Sequence, residues 1–148
     1  MGFSKIVCPI DFSPCSREAL RAAAELARDW STPLILVHIW EPPKWSSGEV
    51  MLAPEVLQTT IDAEQAELEI WKTTAKQLGA REIDARFLTG VAWDTLVELL
   101  KADPAIDLVV MGTHGRTGLR HVLLGSVAEK VVRHAPCAVL VVRDRERT

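Results

Sequence analysis

Five short apolar runs recur along the chain, at Lys5–Ile10, Pro33–Trp40, Arg81–Leu88, Leu108–Met111 and Ala138–Val142. The stretches between them are too long for hairpins, and they carry helical periodicity. Strands that alternate with helices build a parallel sheet, because a parallel pair needs a crossover and the crossover is right-handed. The expected fold class is therefore α/β: a single doubly wound parallel five-stranded sheet with helices on both faces, formed by one domain over all 148 residues.

The helices have readable ends and faces. Ser13 is an N-cap with Pro14 at the first helical position, and the helix runs to about Trp30. Its apolar face is Ala19, Leu20, Ala23, Leu26, Ala27 and Trp30, and its alanines permit close approach to a sheet. A second helix spans Pro54 to Leu78, with a stripe of Leu57, Ile61, Leu68, Trp71, Ala75 and Leu78 that Glu64 interrupts. Gly79 stops it. Two shorter helices are expected over Ala92–Ala102 and Ser126–His134. Glu41 to Ala53, with adjacent prolines, serines and a glycine, reads as a long loop, and Arg143 to Thr148 as a frayed tail.

The strands differ in a way that orders them. The third alternates Ile83, Ala85 and Phe87 with Glu82, Asp84 and Arg86, the mark of a half-exposed edge strand. The first, second and fourth are mostly apolar, as strands covered on both faces are. Of the two common orders, 3-2-1-4-5 and 2-1-3-4-5, the alternation selects 3-2-1-4-5. Strands 1 and 4 become central neighbours, and the crevice past their C-terminal ends is the switch point where ligands bind.

Two features fall at that crevice. One is Asp11, just past strand 1. The other is residues 112–126, which hold Gly112, Gly115, Gly118 and Gly125 and the basic residues His114, Arg116, Arg120 and His121. Gly125-Ser126 opens a helix, where free amides and the helix dipole favour an anion. On glycine content alone the segment is equally a phosphate cradle or a flexible loop with a glycine cap. It is no Walker A loop, since it has no lysine, and no G-x-G-x-x-G.

The spacing Gly112-x2-Gly115-x9-Gly125-Ser126 matches the G-x2-G-x9-G-[ST] pattern of the nucleotide-binding branch of the universal stress protein family. The opening I-V-C-P-I-D-F-S, the L-V-H-I-W-E-P of strand 2 and the closing P-C-A-V-L-V-V also resemble that family, over essentially the whole chain. The resemblance implies an ATP or related adenine nucleotide site on an adenine nucleotide alpha hydrolase-like sheet. Asp11 would accept from the ribose hydroxyls, and Pro9 and Ile10 would line the adenine and ribose wall. Val37 would offer its backbone N–H and C=O to the adenine edge, and Met111 and Gly112 would pass beside the ribose. Gly115, Gly125, Ser126 and Val127 would bind phosphate through their amides, and Arg116 would pair with a terminal phosphate. Mg²⁺ would be held mainly by the phosphates and water. A homodimer through the last strand, Ala138 to Val142, is also implied; that run has no proline or lysine to blunt an edge.

Other classes are disfavoured. A net charge of -3 argues against general affinity for nucleic acid or an anionic membrane. No apolar run approaches the roughly 20 residues that span a bilayer, and the N-terminus lacks a signal-peptide pattern, so the cytoplasm is the expected compartment. Cys8, Cys15 and Cys137 stand at spacings of 7 and 122, which is no disulfide framework. Cys8 and Cys137 read as packed thiols. The four histidines never fall at i, i+3 or i, i+4, so no metal site is expected, and His38 reads as a satisfied core histidine. Trp30 and Trp71 read as core, Trp45 as an exposed loop residue, and Trp40 as a bulky neighbour of the adenine side. Strand 3 ends in Leu88-Thr89-Gly90, without the carboxylate of a phosphoacceptor receiver. The ionisable residues of 112–126 are only basic, which leaves nothing to hold Mg²⁺ or orient a water; binding with at most slow hydrolysis is expected. The alternative is a constitutive dimeric scaffold that binds no nucleotide.

Overall fold

A computed structural model describes residues 2–44, 52–114 and 124–144. The chain runs β1 (Ile6–Pro9), α1 (Pro14–Trp30), β2 (Leu34–Trp40), α2 (Pro54–Gln77), β3 (Ile83–Thr89), α3 (Ala92–Ala102), β4 (Leu108–Gly112), α4 (Ser126–His134) and β5 (Ala138–Val142). All strand pairs are parallel and the order is β3-β2-β1-β4-β5, with β3 at an edge as its alternation requires.

Each sheet face has its own core. On one, α1 and α2 cover Ile6, Cys8, Leu34, Leu36, Leu108 and Val110. On the other, α3 and α4 cover Val7, Ile35, Val37, Val109 and Met111. Alternate residues of each strand go to opposite faces, which is why β1, β2 and β4 carry apolar residues at nearly every position. Ser13 caps α1 by accepting from Ser16 N–H at 3.2 Å, and Pro14 fills the next position. Past α2, Gly79 takes φ +109, where a Cβ would lie 2.6 Å from Arg28 Cδ.

Two expectations about the helices are corrected. Trp30 lies at the last turn of α1, beyond the sheet, and is 42% exposed; it packs on Phe3 with ring centroids 5.1 Å apart. On α2 only Leu68, Trp71 and Ala75 are buried. The N-terminal half of α2 overshoots the sheet, so Leu57 and Ile61 are only half-buried although they share the stripe. Trp45 and residues 145–148 lie outside the described residues.

Candidate functional site

The crevice opens where β1 and β4 diverge. Residues of β1 and the turn after it, β2, α1, α3, β4 and α4 line it, and it holds roughly 560 Å³ including its open mouth. Pro9, Ile10, Asp11, Val37, Met111 and Val127 all line it. Gly115 and Arg116 lie outside the described residues.

One end carries a carboxylate held on several sides. Asp11 Oδ1 accepts from Ser16 Oγ at 2.7 Å and from Ser13 N–H at 3.0 Å, while Asp11 N–H donates to Ser16 Oγ at 3.0 Å. Ser16 itself lines the crevice. The next residue, Phe12, takes φ 66, a left-handed conformation uncommon for a bulky side chain. Packing compensates for it. The Phe12 ring lies 4.5 Å from His38 and 5.5 Å, edge-on, from Trp71. Behind it, His38 Nδ1 meets the Ile10 carbonyl at 2.7 Å and Nε2 meets Glu64 Oε2 at 2.7 Å. A carbonyl only accepts, so Nδ1 carries a proton and donates to Ile10. Glu64 thus breaks the apolar stripe of α2 in order to meet a buried histidine, and α2, β2 and the Asp11 turn are tied together.

The other end is apolar. Ile39, Ala92 and Leu96 line it beside Val37. The ladder geometry assigns its polar groups. Odd-numbered residues of β2 face β1: the Pro33 carbonyl accepts from Ile6 N–H at 3.0 Å and the Val37 carbonyl from Ile10 N–H at 2.8 Å. Even-numbered residues face β3: Leu34 N–H donates to the Glu82 carbonyl and the Trp40 carbonyl accepts from Gly90 N–H. The last β1–β2 pair is Pro9 with Val37. Val37, fully buried, therefore has its carbonyl within the ladder, which corrects the expectation that its backbone is open to an adenine edge. The open position is two residues on. Ile39 faces the β1 side past the end of β1, and the Ile10 carbonyl that would continue the ladder is turned to His38 instead. Among the described residues nothing pairs with the Ile39 backbone on that side.

The third wall is the β4 end and the start of α4. Gly112 does not line the crevice; a Cβ there would sit 2.7 Å from Cys15 Cβ and 2.9 Å from the Cys15 carbonyl carbon, so its missing side chain admits the first turn of α1. Cys15 is buried, with Sγ 4.0 Å from Thr113 Oγ1. Gly125, the N-cap of α4, donates its N–H to the Thr113 carbonyl at 2.6 Å, which corrects the expectation that this amide is open to a phosphate. The amides of Ser126 and Val127 follow in the first turn, where a helix supplies no acceptor of its own. His114 also lines the crevice, with Nδ1 3.1 Å from Thr113 Oγ1.

Sequence reasoning missed Ser16, Ile39, Ala92 and Leu96. Ser16 had a legible signal, a hydroxyl five residues after Asp11 in the first helical turn. The others depend on where a ladder stops and where α3 docks.

An open parallel sheet with a crevice at its switch point, a carboxylate at one end and a helix N-terminus at its rim defines a doubly wound α/β protein. The universal stress protein family model matches residues 2–143. Universal stress protein MJ0531 of Methanocaldococcus jannaschii is 35% identical over 98% of this chain and 85% of its own length. Among solved structures, universal stress protein UspA from Lactobacillus plantarum superposes with a TM-score of 0.83 at 25% identity, covering 97% of this chain and 99% of that one. A universal stress protein crystallised in complex with cAMP gives a TM-score of 0.74 at 28% identity over 97% of this chain and 99% of its own. The chain belongs to the universal stress protein family.

Proposed function

We propose that the crevice binds an adenine nucleotide and that the protein is a nucleotide-dependent regulatory module with little or no hydrolysis. The observation that carries the reading is the order of chemistry along one crevice. An apolar slot with an open strand edge at Ile39 suits a base, the braced Asp11 carboxylate suits sugar hydroxyls, and the Ser126 and Val127 amides at the start of α4 suit an anion. The cAMP complex of a relative supports the ligand class. In this reading Pro9, Ile10 and Met111 line the base and sugar wall, and Ile39 takes the role first given to Val37. Gly125 serves as the cap that aims the following amides, and Gly115 and Arg116 reach the phosphates.

Among the described residues no group of three His, Cys, Asp or Glu side chains could hold a metal ion. Mg²⁺ that accompanies ATP would therefore keep phosphate and water ligands. The homodimer through β5 is part of the proposal. The strand is a sheet edge whose Leu140 is 41% exposed, and it is open to pairing with a second copy.

Thermal unfolding with ATP, ADP, AMP and cyclic AMP tests the ligand. Nucleotide at 100 times its Kd should add about 2.7 kcal/mol. No shift with any of the four leaves the constitutive scaffold as the reading. Light scattering tests the dimer, and a monomer at micromolar concentration contradicts it.

A further inference from the structure

At the apolar end of the crevice a long-range side-chain contact joins the end of β2 to the start of α3. Glu41, the residue after β2, accepts from Ala92 N–H through Oε1 at 2.6 Å, across 51 residues of sequence. Ala92 opens α3 and, with Leu96 on the next turn, forms the crevice wall opposite Ile39. The α3 N-cap is Val91, which has no side-chain acceptor, so Glu41 supplies the cap from another element. A backbone bond alongside, Gly90 N–H to the Trp40 carbonyl at 3.0 Å, joins the same two segments.

Glu41 is exposed. Water could satisfy the Ala92 amide in its place, so the contact adds little to stability; what it fixes is position. A carboxylate is also the side chain that a helix N-terminus holds best.

We propose that Glu41 is a positioning residue for nucleotide binding: its carboxylate clamps the first turn of α3 to the end of β2 and so sets the width of the slot that takes the base. The role rests on the nucleotide reading above. Glu41 sits two residues beyond Ile39, so the clamp and the open strand edge belong to one segment. A wall free to swing away would lose contact with the base face while the sugar and phosphate contacts stayed in place.

The test uses the full chain and its E41A and E41Q variants, titrated with AMP and with ribose 5-phosphate, which lacks the base. Binding is followed by amide resonances, and Ala92 hydrogen exchange is measured without ligand. The expected result for E41A is a loss of AMP affinity of about tenfold, equivalent to roughly 1.4 kcal/mol, with unchanged ribose 5-phosphate affinity and faster Ala92 exchange. E41Q keeps an acceptor and should remain within about threefold of the parent. Unchanged AMP binding in E41A overturns the proposal, and so does an equal loss for both ligands. A parent chain that binds AMP nowhere removes the nucleotide reading itself. Ala92 exchange then still reports on the clamp, and unchanged exchange in E41A disproves that as well.

Discussion

The two ends of the crevice are held by opposite means. The carboxylate end is over-determined. Two serines fix Asp11, and an aromatic cluster holds Phe12 in a left-handed turn. A histidine–glutamate pair then ties the whole to α2. The apolar end rests on Ile39, the first turn of α3, the Gly90–Trp40 backbone bond and an exposed glutamate. The first arrangement is built into the core, so breaking it costs the fold stability. The second can be adjusted at one residue.

The largest expected effect lies at the braced end. His38→Ala breaks the contacts to Glu64 and to the Ile10 carbonyl and removes the ring beside Phe12. Urea unfolding should show a loss of about 3 kcal/mol, the lower end for breaking a buried pair because Glu64 is partly exposed. Glu41→Ala should cost under about 1 kcal/mol in the same assay. Equal losses for the two variants would erase the distinction between the ends.

Asp11→Ala acts on binding more than on folding. Hydrogen bonds to a charged acceptor are worth about 1.5–3 kcal/mol, so calorimetry with AMP should show a loss of about 30-fold. Parent-like affinity would remove Asp11 from the sugar.

A third prediction concerns the strand beneath the braced end. Burial pushes the Cys8 thiol from 9.0 up to about 12. The folded chain keeps this proton to a higher pH than the unfolded chain does. Its stabilising contribution is complete below pH 9.0 and is lost as pH rises toward about 12. The slope approaches about 1.4 kcal/mol per pH unit. Unfolding measured from pH 8 to 10.5 should lose part of its slope in Cys8→Ala, and alkylation of Cys8 should keep pace with global unfolding. Rapid alkylation of the native protein would mean that the end is looser than its contacts imply.

Ser16→Ala sharpens the comparison most finely. It removes one of the two described donors to Asp11 Oδ1 and leaves Ser13 N–H in place. A loss of about 1 kcal/mol in AMP binding is expected, with a reduced preference for AMP over its 2′-deoxy form. An unchanged preference would show that the carboxylate is oriented without Ser16.

Much of this was legible in the sequence, and the reasons are physical. Element bounds, strand order and the position of Asp11 follow from local periodicity, caps and one alternating strand. The carboxylate end is encoded nearly in one stretch, from Pro9 to Ser16. The apolar end joins residues 39 to 41 with residues 92 to 96, and no short-range pattern announces that pairing. Val37 and Ile39 sit on the same side of one strand, and only the register at which β1 stops decides which backbone is open. Glu64 was visible as a break in a stripe, but its partner lies 26 residues away on another element. Trp30 followed the helical period faithfully and still escaped burial, because periodicity reports the face of a helix and not where the sheet beneath it ends.

The central claim is that one crevice takes base, sugar and phosphate in that order from Ile39 to the start of α4. The most direct measurement is an amide resonance map of the chain during titration with AMP and ATP. The account predicts shifts at Ile39, Asp11 and Ala92 with both ligands, and larger shifts at Ser126 and Val127 with ATP. Saturable binding that moves none of these amides, or no binding by either nucleotide, would contradict it.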